Sequence, residues 1–189
     1  MLAVRCLLFY DSPIMRPQQN EAASYYHGYI DRVAGDDVVA VLESQLNETV
    51  DFLSDISEDQ SLHRYAPDKW SMRELLNHVN DTERVFLFRA LWFARGFSEP
   101  LPSYDQEVGV AGAQADEFDW ANHIEEFRSI RLATLAFFRN LPAENLPGSE
   151  QVWNRTGIAS GNPFSVRALA YILAGHLTHH LSILKELYL

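Results

Sequence analysis

The sequence predicts an all-α protein: a four-helix bundle with crossover topology, preceded by a short amino-terminal helix. Three observations predict it. Four segments repeat apolar residues at helical spacing behind capping signals. Two connections, residues 97–118 and 142–164, are too long for simple helix hairpins, which points to crossovers rather than an up-down-up-down bundle. The 189 residues, 47% apolar and 12% aromatic, suffice for one ample core, so residues 15–189 read as a single domain.

Residues 1–14 form a short apolar run with one arginine and no Ala-x-Ala cleavage pattern, and Met15 follows at once. They read as a disordered leader or a mis-called start, with an extra strand or helical turn as the alternative. A first helix is expected over residues 21–33, offering Tyr25, Tyr26 and Ile30 to the bundle, until Gly35 and Asp36 break it. Asp37 then caps a helix over 38–56 that carries Val39, Leu42, Leu46, Val50 and Leu53.

Residues 57–70 are polar and contain Pro67, and a strong helix start follows them. Ser71 and Glu74 have the spacing of a capping box, with Trp70 placed to staple onto Leu75. That helix continues through Leu76, Val79, Phe86 and Ala90 to Gly96, a C-cap glycine. Residues 97–118 show little periodicity and read as a crossing connection or a loop covering a site. Asp119 is placed to cap a third long helix, with Ile124, Phe127, Leu135 and Phe138, ending before Pro142. Residues 142–164 are irregular, and Trp153 and Phe164 there are loop anchors or the mouth of a pocket. Ser165 caps the last helix, over 166–187, whose inward positions include Leu169, Leu173, Leu177 and Leu184.

Composition narrows the function. A formal net charge of -11 repels nucleic-acid phosphates and anionic membrane surfaces, and no run reaches the 18 apolar residues that span a bilayer. Cys6 is the only cysteine, which excludes an intrachain disulfide framework and a Cys-rich zinc site and fits a reducing, cytoplasmic setting.

Histidines carry the chemistry. His176 and His180 are four residues apart, so their side chains lie one turn apart on one helix face, which they share with Leu173 and Leu177. His78 lies near the apolar edge of another helix. Three neutral imidazoles suit Zn, Ni or Fe, and a fourth position left open marks a catalytic rather than a structural site. The plainer alternative is a set of half-buried histidines hydrogen-bonded across the bundle. Leu177 stands where a zincin protease would carry glutamate, so any general base lies elsewhere. Asp81, Tyr104 and Asp105 are the candidates, Asp81 because it could reach the second ring nitrogen of His78. Glu83 points away and reads as solvated or as half of an interhelical salt bridge. His123 is a reserve ligand, His179 a polar-face residue, and His27 and His63 surface or packing residues.

Residues 65–86, YAPDKWSMRELLNHVNDTERVF, and residues 173–188, LAGHLTHHLSILKELY, resemble the two signature helices of the DinB-like superfamily, which includes the YfiT-type metal-dependent hydrolases. The resemblance implies a crossed four-helix bundle, often a homodimer, in which His78, His176 and His180 hold a divalent metal. It also implies a small-molecule enzyme. Some relatives are thiol transferases that use a low-molecular-weight thiol as cosubstrate, and others are similar to amide hydrolases. A non-catalytic bundle serving dimerisation or partner binding is the competing expectation.

Overall fold

The computed structural model describes residues 15–142 and 152–189; the leader expectation for residues 1–14 lies outside them. The expected first helix is shorter than its sequence pattern. A 3₁₀ turn, Gln19–Glu21, precedes α1 (Ser24–Ile30), and between them Ala22 is extended. Glu21 is the reason: its carboxylate accepts from Ser165 Oγ at 2.6 Å and pairs with Arg167 at 2.6 Å, which ties the chain to the far end of the sequence before the helix begins.

Asp37 caps α2 (Val38–Ser54) as expected, accepting from the N–H groups of Val39 and Ala40. The polar stretch that follows contains one further turn of helix, α3 (Glu58–Ser61), with its own Ser57–Gln60 capping box. Ser71 and Glu74 form the predicted box at the start of α4 (Met72–Ala94). Gly96, at φ +83, ends this helix; the N–H of Phe97 reaches the Trp92 carbonyl, and the two rings stack 4.1 Å apart. This is a Schellman motif with its hydrophobic contact.

Residues 97–118 contain α5 (Gln106–Ala113) and a 3₁₀ turn, Ala115–Glu117, which the sequence pattern did not predict. Asp119 precedes α6 (Trp120–Arg139), but its side chain makes no capping bond. Instead the Glu58 carboxylate of α3 accepts from the Trp120 N–H, so the cap comes from a distant segment. The region expected to be irregular holds a hairpin of β1 (Thr156–Ala159) and β2 (Asn162–Ser165), in register from Thr156 opposite Ser165 to Ala159 opposite Asn162. Its turn residues Ser160 and Gly161 both have positive φ, 52° and 74°, the backbone of a tight two-residue hairpin. Trp153 and Phe164 are fully buried, and Trp153 stacks on Phe138 at 5.6 Å, so they are anchors of the core rather than a pocket mouth. Ser165 caps α7 (Val166–Ile183), which ends in a π-helical turn, Leu184–Tyr188.

The long helices pack in the ring order α2, α6, α4, α7, so helices successive in sequence, α2 and α4 or α6 and α7, face each other across a diagonal. That is a crossed four-helix bundle. One buried polar network links all four helices. Arg131 of α6 donates to both oxygens of Glu83 in α4, at 2.8 and 2.7 Å, and to Gln45 Oε1 of α2 at 2.9 Å. Gln45 in turn donates to the Ala174 carbonyl of α7 at 2.9 Å. Glu83 is therefore the interhelical partner and is not solvated. Helix α1 closes on α7 where Gly175 leaves room: a Cβ there would lie 1.9 Å from the Tyr29 carbonyl oxygen. Among the described residues no helix is long and apolar enough to cross a membrane.

Candidate metal centre

His78 sits in the second turn of α4, and His176 and His180 sit one turn apart on α7, the helix that packs beside it. All three are buried. The Nε2 atom of His176 lies 3.2 Å from that of His78 and 3.1 Å from that of His180, so three ring nitrogens converge on one point. Zinc–nitrogen bonds of 2.0–2.1 Å in a tetrahedron put ligand atoms about 3.3 Å apart. Two of the three pairs in the cluster have that spacing, and one ring nitrogen from each histidine lies within 4.8 Å of the others.

Tautomer chemistry favours an ion at this point over hydrogen bonding alone. Each Nε2 carries either one in-plane lone pair or one hydrogen, and that of His176 has two histidine neighbours at bonding distance. One directional atom cannot satisfy both. Desolvation by burial lowers the pKa of His78 to about 4 and that of His180 to about 3, mutual repulsion contributing in the second; it holds His176 well below its usual range. All three are thus neutral at pH 7, the protonation state a metal requires. The donor set, three neutral imidazoles with no thiolate or carboxylate, fits a divalent ion of the Zn, Ni or Fe kind.

Rings from elsewhere hold the cluster. Trp70, placed by sequence against Leu75, lies 5.0 Å from the His78 ring, and Tyr29 of α1 lies 5.3 Å from that of His176. The second nitrogen of His78 meets Thr82 Oγ1 at 3.4 Å, not Asp81. Thr82 is four residues beyond His78, a helical spacing visible in the sequence, but a neutral hydroxyl is a weaker sequence signal for a histidine partner than the carboxylate at three. Asp81 turns instead to Arg84, at 3.1 Å, and accepts from the Tyr104 hydroxyl at 3.3 Å.

A cavity of about 120 Å³ opens beside His78 and His176, walled by Tyr26 and Tyr29 of α1, Thr82, Phe86 and Arg89 of α4, Tyr104, and Ser160 of the hairpin turn. Tyr104 therefore reaches the site through the long connection, whereas Asp105 accepts from Glu107 and Val108 N–H as the cap of α5. Burial and the Asp81 charge raise Tyr104 to about 12, so its hydroxyl keeps its proton. A second cavity of about 260 Å³, lined by Tyr65, Lys69, Trp70 and Tyr188, reaches His180.

The remaining histidines lie outside the cluster. His123, the reserve ligand, is buried with Nε2 donating to the Ala115 carbonyl at 2.9 Å. His179 faces Tyr29 at 5.4 Å, His27 meets the Gln19 carbonyl, and His63 is exposed near Tyr188.

A crossed helical bundle with three histidines converging from two neighbouring helices defines a class, that of DinB-like proteins. The DinB superfamily profile matches residues 42–184, and the chain belongs to that superfamily. Among solved structures it is similar to YfiT from Bacillus subtilis, a probable metal-dependent hydrolase with an unusual four-helix bundle topology. The two share 16% identity with a TM-score of 0.66, over 82% of this chain and 87% of that one. No curated protein matches the chain.

Proposed function

We propose that the chain is a metal-dependent enzyme acting on a small molecule, with His78, His176 and His180 as the ligands of one divalent ion. The observation that carries this reading is the convergence of three buried, neutral imidazoles: the Nε2 atom of His176 lies 3.2 Å from that of His78 and 3.1 Å from that of His180, and one ring nitrogen from each of the three lies within 4.8 Å of the others. A divalent ion held there supplies Lewis acidity, which turns a thiol or a water into a nucleophile near neutral pH.

The cavity favours thiol transfer, with a low-molecular-weight thiol as cosubstrate, over amide hydrolysis. Hydrolysis calls for a general base near the attacking water and an acid for the leaving amine. No carboxylate lines the cavity beside His78 and His176, Asp81 is engaged by Arg84 and Tyr104, and the two carboxylates that line the cavity at His180, Asp68 and Glu107, are solvent-exposed. Thiol transfer asks less of the walls: exclude water, orient the electrophile and donate hydrogen bonds. Tyr26, Tyr29 and Tyr104, kept protonated by burial, do this. Hydrolysis is the second reading, prompted by the description of YfiT.

Elemental analysis of the purified protein beside a His78→Ala variant tests the centre. One equivalent of metal per chain is expected in the parent and near none in the variant; metal-free protein after growth with zinc, nickel and iron would reject it. A screen of small thiols with an electrophile, against simple amides, separates the two reactions.

A further inference from the structure

Among the described residues four arginines are buried, and three of them have carboxylate partners: Arg73 with Glu58, Arg131 with Glu83 and Arg167 with Glu21. Arg89 is the exception. It is 4% exposed, and among the described residues no carboxylate pairs with it. Its contacts are neutral: Ser160 Oγ at 3.0 Å, the Pro102 carbonyl at 3.3 Å and the Tyr26 hydroxyl. The Phe86 and Phe164 rings lie 5.5 and 5.9 Å from the guanidinium carbon. Burial opposes its charge, but a guanidinium keeps its proton at neutral pH.

An unpaired buried charge is costly, and the place where it sits suggests what completes it. Arg89 lines the cavity beside His78 and His176, and no acidic residue lines that cavity although the chain carries a net charge of -11. Arg89 follows His78, Thr82 and Phe86 along one face of α4. The Phe86 ring neighbours the guanidinium and the cluster alike, 5.5 Å from the guanidinium carbon and 6.2 Å from the His176 ring. Ser160 and Pro102 both accept from Nη2 and Tyr26 meets the guanidinium from α1, so the group is held in place with N–H donors on its other nitrogens to offer an anion.

We propose that Arg89 is an anion-binding subsite that takes the carboxylate of a small substrate or cosubstrate, whose other end faces the histidine cluster. It rests on the metal-centre reading only for the orientation of that other end. The class is thus a short acid that carries a metal-seeking group at the end away from its carboxylate.

The probes are 3-mercaptopropionate and its neutral amide, titrated into metal-free and zinc-loaded protein while the Arg89 Nε–H signal is followed by NMR. The acid is expected to bind about tenfold more tightly than the amide in both forms, as charge-assisted hydrogen bonds imply. Arg89→Met should abolish this preference with zinc stoichiometry unchanged, and Arg89→Lys should keep part of it. Equal affinity for acid and amide in the parent protein overturns the subsite, whether or not the Met variant folds; so does a preference that survives in that variant. A preference seen without any zinc binding would leave the subsite standing and remove the metal centre instead.

Discussion

At the scale of single residues, the histidine cluster makes stability depend on pH in a defined direction. An unfolded histidine titrates near 6.5, whereas burial lowers His78 to about 4 and His180 to about 3 and holds His176 well below its usual value. As pH falls through 6.5 the unfolded chain takes up protons that the folded one refuses. Stability of the metal-free protein therefore falls by roughly 1.4 kcal/mol per pH unit for each such histidine, while above 6.5 this source contributes no slope. Urea unfolding at pH 7.5 and 5.5 checks it: the midpoint should drop at the lower pH, and less in a His176→Gln variant. Identical midpoints would show that the rings are solvated. Glu83→Gln is expected to cost about 3–5 kcal/mol in the same assay, because it leaves the Arg131 charge buried without its partner. Spacing made His176 and His180 legible, since four residues fix two side chains on one helix face. It could not separate Arg89 from Arg84, Arg131 and Arg155. Arg84 bridges Asp81 and Glu126 on the surface, Arg131 is in the core, and Arg155 binds the Ala94 carbonyl. Those fates depend on how helices pack, which no local pattern encodes.

Elements that specify their own ends are legible in the sequence. Asp37, Ser71 and Ser165 each cap from within a few residues, and Gly96 closes α4 by backbone geometry. Elements held by distant partners are not. Helix α5 is eight residues long with two glycines, and its conformation depends on α4 and on Tyr104, whose hydroxyl would lie 2.0 Å from a Cβ at Gly109. The hairpin turn at Ser160–Gly161 carried a turn signal, but its strands are four residues each and are steadied by Leu101, which hydrogen-bonds to Ile158 and Ser160. The approach of α1 to α7 is likewise tertiary, and two glycines test it. Gly175→Ala drives a methyl into the Tyr29 backbone and should cost about 1–3 kcal/mol, with faster hydrogen exchange of the α1 amides. Gly28→Ala, on α1 itself with nothing within 4 Å of the added methyl, should be neutral or stabilising by up to about 1 kcal/mol. Equal effects of the two would mean that α1 does not sit on Gly175.

The whole molecule is organised so that its centre joins parts of the chain remote in sequence. Crossed topology puts α4 beside α7, and His78 and His176, 98 residues apart, meet where they touch. An ion shared between them closes a long loop of chain that the unfolded protein leaves open, so binding contributes to the stability of the fold as well as to chemistry. The resemblance of residues 65–86 and 173–188 to one superfamily makes this meeting legible, although the two segments are far apart in the sequence. Zinc at a hundred times its dissociation constant adds about 2.7 kcal/mol. In a chain of this size that corresponds to a rise in Tm of roughly 5–10 °C. Thermal unfolding with and without zinc should show the rise in the parent protein and in a His63→Ala variant, since His63 is exposed and outside the cluster. It should vanish in His78→Ala. Hydrogen exchange locates the same effect, with zinc slowing amides on α4 and α7 together. A zinc-induced rise that persists in His78→Ala but is lost in His63→Ala would place the ion on the surface and separate the fold's stability from the buried cluster.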